Sequence, residues 1–220
     1  MTPHEAEVSL VSPDVLQFPS SYIAPLKLGV LASGSGSNFE AIAQAISKQK
    51  LNAEIQVLIY NNPDARAAER AKYWQTPSVL LNHRDFPDRE ILDAKIVETL
   101  QQYEVNWVIM AGWMRRVTDV LINAFPGRIL NIHPSLLPSF PGMRAVEQAI
   151  AADVKIAGCT VHHVWLEVDS GPIVMQAAVP VFPHDTVETL HQRIQVQEHR
   201  IYPRAIAHAA AEYEMEHFRR

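Results

Sequence analysis

Asn131 and His133 stand two residues apart in the run Leu130-Asn131-Ile132-His133-Pro134. On an extended chain their side chains share a face, and Ile132 takes the other. An amide N–H₂ and an imidazolium are both donors. Two donors aimed at one point can stabilise a developing oxyanion; a polar pair of this kind can equally do no more than tie down a loop. Asp169, in Val168-Asp169-Ser170-Gly171-Pro172, is a candidate third member. Aspartate is a common turn former and needs no function there. If the turn folds over His133, its carboxylate favours the imidazolium and raises the pKa of the ring. That is the proton inventory an acyl transfer uses near neutral pH.

A second feature is Ser33-Gly34-Ser35-Gly36-Ser37-Asn38. Glycine lets a backbone approach a ligand closely, and a helix start offers free N–H groups to an anion. The dinucleotide fingerprint fails here, because Phe39 occupies the third glycine position and Tyr60-Asn61 brings no acid for a ribose. A phosphate monoester fits better; a tight strand–helix turn that binds nothing is the plain alternative.

Other candidates are weaker. Of His162 and His163, adjacent on a strand, only one can face a given side. His184, His191, His199 and His208 read as a solvated helical face. No spacing suits a zinc site. Cys159 reads as a small buried residue, and no Gly-x-Ser-x-Gly elbow signals a serine hydrolase.

The elements that position these residues alternate. Strands are expected at Leu26–Ala32, Ile55–Tyr60, Ser78–Leu81, Trp107–Ala111 and Arg128–Ile132. Between them fall helices: one capped by Ser37 or Asn38 with Phe39, Ile42, Ala43 and Ile46 on one side, one opened by Asn62-Pro63, one capped by Asp88, and a short one near Thr118–Ala124. Such alternation implies parallel strands. The fold class is therefore α/β, a doubly wound and mainly parallel sheet. Later come a helix over Met143–Ala152 and an antiparallel pair, Ile156–Trp165 and Ile173–Val181. A last helix starts near Thr186 and is expected to break or restart at Pro203. All three chemical features fall at carboxyl ends of strands or in the turn beside them, where open parallel sheets bind ligands.

Composition agrees with one globular domain: 220 residues, 48% hydrophobic and 20% charged. Net charge is −5 with no basic stripe, which argues against nucleic acid as a partner. A lone cysteine permits no disulfide within the chain and suits a reducing, cytoplasmic setting. No apolar run approaches membrane-span length. Residues 1–25 read as a flexible extension, and 26–220 as the catalytic domain.

Several segments together resemble the folate-dependent glycinamide ribonucleotide formyltransferases: the loop Ser33 to Asn38, Ala111-Gly112-Trp113-Met114-Arg115, Leu130 to Pro138, Gly158 to His162 with Asp169 to Pro172, and Gln195 to Pro203. The run Asn131 to Pro138 alone is shared by formyltransferases more widely. The resemblance implies a Rossmann-like formyltransferase fold and formyl transfer from 10-formyltetrahydrofolate to the amine of 5′-phosphoribosylglycinamide, with no metal. It implies that Gly36, Ser37, Asn38 and Glu198 hold the ribonucleotide. It places Arg89, Met114, Arg115, Arg116, Val117, Asn131, Trp165, Leu166, Glu167, Val168 and Asp169 at the folate. Asn131 and His133 would stabilise the tetrahedral intermediate, with Asp169 keeping His133 charged. A formyltetrahydrofolate hydrolase, or transfer to another amine, is the alternative. The state of assembly is expected to be monomer or homodimer. His163 departs from the family, which usually carries an aromatic or apolar residue there. The chain is also expected to lack the regulatory domain of formyltetrahydrofolate deformylases and the C-terminal domain of methionyl-tRNA formyltransferases.

Overall fold

The computed structural model describes residues 10–13 and 24–218. Eight strands form one sheet: β1 Leu10–Ser12, β2 Leu26–Ala32, β3 Ala53–Tyr60, β4 Ser78–Leu80, β5 Trp107–Met110, β6 Ile129–His133, β7 Ile156–His163 and β8 Ile173–Pro180. The helices are α1 Ser37–Ser47, α2 Ala67–Tyr73, α3 Arg89–Gln102, α4 Asp119–Ala124, α5 Ala145–Ala151 and α6 Val187–Phe218. The order across the sheet is β1-β8-β7-β6-β5-β2-β3-β4. β6, β5, β2, β3 and β4 run parallel. β7 is antiparallel to both β6 and β8.

Strand alternation divides the core between the two faces of the sheet. Val30 and Ala32 pack with Phe39, Ile42 and Ile194 on the α1/α6 side. Leu31 packs with Leu92, Ile96 and Leu121 on the α3/α4 side. Strand order reverses direction between β2 and β5, the junction of an open parallel sheet beside which ligands usually bind. Two bonds bridge it: Ser33 N–H donates to Gly112 O at 3.0 Å, and Met114 N–H donates to Ser33 Oγ at 2.9 Å.

Four details differ from the expectations. Gly36, left-handed at φ 71, takes the N-cap place of α1, and no side-chain cap bond forms. Ser37 and Asn38 do not cap because α6 engages them instead: Gln195 Nε2 donates to Ser37 Oγ at 3.0 Å, and Asn38 Nδ2 to Glu198 Oε2 at 2.9 Å. α2 does not open at Asn62-Pro63. That pair forms a turn, and the helix starts where Ala67 N–H reaches Gly34 O at 3.1 Å. α6 runs through Pro203. The missing N–H and the ring clash cost about 3 kcal/mol. Ile201, Tyr202, Ala205 and Ile206 around it are wholly buried, and full burial contributes roughly 1.5–3 kcal/mol for a large side chain. Finally, Leu10–Ser12 lies within the stretch expected to be a loose extension, yet pairs antiparallel with β8. Residues 1–9 and 14–23 of that stretch lie outside the described residues.

The start of α6 is pinned by a charge pair. Arg193 donates to both oxygens of Asp185, at 2.7 and 2.9 Å, and its guanidinium lies 4.2 Å from the Phe182 ring centre. The Arg193 guanidinium holds the Asp185 pKa down at about 2, helped by the Phe182 N–H and Thr189 hydroxyl. A depressed carboxylate stabilises fully above its unfolded pKa, and that share vanishes as pH falls through about 2. Asp185→Asn is therefore expected to lose about 2–4 kcal/mol at pH 7. In urea unfolding, the gap to the parent protein should close between pH 4 and pH 2.

Candidate active site

β6 delivers Asn131 and His133 to one face at its carboxyl end; His133 is buried, at 6% exposure, and Asn131 half-buried. The turn after β7 brings Asp169 to them. Its Oδ2 lies 3.3 Å from His133 Nδ1 and accepts from Gly142 N–H at 2.7 Å. Burial pushes the Asp169 pKa up, but the neighbouring imidazoles and the Gly142 N–H outweigh it and hold the carboxyl below its ordinary value. Asp169 is thus an anion at neutral pH, placed to balance a proton on His133.

The other nitrogen of His133, Nε2, lies 2.9 Å from Phe140 O. A carbonyl only accepts, so Nε2 carries hydrogen. Each ring nitrogen therefore faces an acceptor, an arrangement suited to an imidazolium. The loop that supplies Phe140 O is fastened from the sheet. Thr160 Oγ1 donates to Ser135 O at 2.7 Å and accepts from Leu137 N–H at 3.1 Å. Gln176 Nε2 donates to Leu137 O at 3.0 Å. Phe140, Arg144 and Asp169 all hold positive φ, 54, 57 and 54°. Such conformations are uncommon for residues with a Cβ and cluster where surrounding contacts impose them, often at functional sites.

Asn131 does not point at a shared spot with His133 alone. Its Nδ2 lies 3.1 Å from Nε2 of His162. His162 is 2% exposed and faces Asn131 directly across the antiparallel pair, while His163 faces Leu130 on the other side. Burial holds the His163 imidazole below its usual range. Of the two adjacent histidines, only one of which can face a given side, His162 is the one that faces the site. The available signal was that cross-strand register decides which of two adjacent histidines points inward.

Beside this cluster opens a cleft of about 740 Å³. Arg89, Arg116, Val117, Leu166, Glu167 and Val168 line it, with Pro141 and Gly142 joining it to Asp169. Met114, Arg115, Asn131, Trp165 and Asp169 do not line that cleft. Met114 and Trp165 are exposed, at 77% and 56%. The wall is sound: buried Asp93 accepts from the Thr118 N–H and hydroxyl at 2.6 and 2.9 Å.

The Gly-rich loop lies after β2. A Cβ at Gly36 would stand 2.7 Å from Ala67 Cα, so glycine is required there by both space and φ. Gln195 and Glu198, one turn apart on α6, meet Ser37 and Asn38. Burial raises the Glu198 pKa, against the pull of the Asn38 amide. Gln195 was not singled out by the sequence reading, although its i, i+3 spacing to Glu198 puts both on one helix face. Arg70 Nε donates to Ser35 O at 2.8 Å and pairs with Glu40, bracing the loop from α2.

The sequence pattern of the formyl transferase family matches residues 26–206. The chain is 43% identical over 180 residues to the phosphoribosylglycinamide formyltransferase of Bacillus subtilis (strain 168), across 82% of this chain and 92% of that protein. The chain belongs to the formyl transferase family. Among solved structures, glycinamide ribonucleotide transformylase 1 from Symbiobacterium toebii matches with TM-score 0.82 and 48% identity, over 83% of this chain and 86% of that one. Phosphoribosylglycinamide formyltransferase from Bacillus halodurans matches with TM-score 0.80 and 43% identity, over 82% and 93%.

The cleft can be tested against a formyl transferase's folate co-substrate. A folate needs an apolar slot for a flat ring and cations for carboxylates. Val117, Leu166 and Val168 supply the first and Arg89 and Arg116 the second, so the residues present fit. No group of three or more His, Cys, Asp or Glu side chains able to hold a metal occurs among the described residues, and no described helix is long and apolar enough to cross a membrane.

Proposed function

We propose that the chain transfers the formyl group of 10-formyltetrahydrofolate to the amine of 5′-phosphoribosylglycinamide, with residues 26–220 as the catalytic domain. The observation that carries this is the ionised Asp169 lying 3.3 Å from His133 Nδ1, beside Asn131 and joined through Gly142 to a cleft of folate size. The loop Gly36 to Asn38 takes the phosphate on its N–H groups, and Glu198, which accepts from the Asn38 amide at 2.9 Å, helps hold the ribonucleotide.

The co-substrate supplies the formyl carbon that the amine attacks. As the C–N bond forms, the carbonyl electron pair moves onto oxygen. Asn131 receives that charge with an N–H. His133 shifts its Nε2–H from Phe140 O to the reacting centre and serves as proton donor when the bond to the folate nitrogen breaks. The attacking nitrogen gives its extra proton to the Nε2 that His133 has vacated, which restores the imidazolium, so the balance closes without metal or covalent enzyme intermediate. Asp169, 3.3 Å from His133 Nδ1, balances the charge of the ring before and after that exchange. A buried thiol, Cys159, suits a cytoplasmic setting.

The test follows the ultraviolet change of 10-formyltetrahydrofolate with purified protein, with and without 5′-phosphoribosylglycinamide. Conversion only with the acceptor is expected. Equal conversion without it makes the chain a hydrolase. No conversion by folded protein removes the proposal.

A further inference from the structure

We infer that His162 is a positioning residue that sets the amide direction of Asn131, and so decides which of its polar atoms faces the reacting carbonyl. This rests on the acyl-transfer reading of the site and goes beyond it. The argument is one of donors and acceptors. His162 Nδ1 lies 2.8 Å from the carbonyl oxygen of His163. That oxygen can only accept, so Nδ1 carries hydrogen. In the neutral ring Nε2 then holds a lone pair. Asn131 at 3.1 Å must present its Nδ2 there and donate. The amide carbonyl is turned away, and the second N–H remains as the donor for the reaction.

A proton on Nε2 reverses this. That N–H would turn toward Asp169 Oδ1, now 3.6 Å away and beyond hydrogen-bond length. Asn131 would face another donor and would have to rotate, placing its carbonyl where an N–H is needed. The neutral Nδ1–H tautomer is therefore the form that arms Asn131. The pair is rigid enough for this role. Asn131 and His162 are direct cross-strand neighbours, and the His162 side chain is 3% exposed, so the ring has no water to turn to.

Two substitutions separate positioning from packing. His162→Phe keeps a ring of similar shape without an acceptor. His162→Gln sets a carbonyl oxygen where Nε2 stood. His162→Phe is expected to lower kcat about 10-fold or more, with KM for both substrates unchanged. His162→Gln should restore most of the loss. In an Asn131→Ala background, His162→Phe should change kcat by less than about twofold, because the residue acts only through Asn131. An equal loss in the Gln and Phe variants, or full additivity with Asn131→Ala, overturns the inference. A measurement independent of turnover is the nitrogen NMR spectrum of His162 at pH 7. A protonated Nδ1 and bare Nε2 are expected, and the reverse tautomer overturns the inference. If the parent protein transfers no formyl group, the functional proposal fails, and the NMR spectrum still decides whether His162 sets the amide direction of Asn131.

Discussion

His133→Ala is expected to lower turnover by about 10²-fold or more, the scale on which loss of an oxyanion donor acts. Asn131→Ala should fall in the same range. The reason is location: His133 is buried and Asn131 half-buried at the end of β6, where a hydrogen bond to developing charge is worth more than in water. The two are not equivalent. Loss of Asn131 removes one N–H and leaves His162 without its partner at 3.1 Å. Loss of His133 removes the donor and also leaves the Asp169 carboxylate with Gly142 N–H as its closest partner, at 2.7 Å. Steady-state kinetics on the purified variants decides the point. Turnover near that of the parent in either one would remove that residue from the mechanism. The proposed mechanism has the two act on one intermediate, so the double variant should lose less than the product of the single losses.

Asp169→Asn is expected to move the basic limb of the pH–rate profile to lower pH and to lower turnover at pH 7. The sign follows from charge. Asp169 has a lowered pKa and is ionised through the neutral range. Its negative charge favours the imidazolium. An amide in its place keeps the shape and can still accept from Gly142, but it supplies no compensating charge. Without that charge the imidazolium loses its counter-ion, and the donor is less favoured. The measurement is kcat/KM against pH for both proteins. An unchanged profile would leave Asp169 with only its bond to Gly142. The same substitution should also flatten acid unfolding. A carboxylate with a lowered pKa contributes stability above its unfolded value, and that share disappears as pH falls through the folded one.

The largest departures from the sequence reading lie in what surrounds the site. Ser37 and Asn38 look like caps for α1, and by local rules they should be. In the folded chain, Gln195 and Glu198 of α6 claim them, and Gly36 in the left-handed region starts the helix. Side chains with two possible partners choose by tertiary proximity, which no local window contains. Pro203 is a second case. Its local effect is to stop a helix, yet the buried residues on both sides hold α6 continuous.

Much of the chemistry is local and was determined by sequence alone. A strand repeats every two residues, so Asn131 and His133 share a face wherever that strand lies. A Gly/Ser turn between a buried strand and a helix exposes N–H groups whatever the rest of the chain does. Alternating strands and helices imply a parallel sheet, and such sheets bind ligands at one edge. Only the tertiary structure decided the partners. His162 rather than His163 reaches Asn131 because β7 pairs with β6 in one antiparallel register, and a slip of one residue would exchange them. Asp169 meets His133 across 36 positions because a turn with positive φ folds back over the sheet. Phe140 O meets His133 because Thr160 and Gln176 anchor the proline loop. Periodicity is a property of neighbouring residues, whereas register and loop anchorage depend on contacts between segments far apart in the chain.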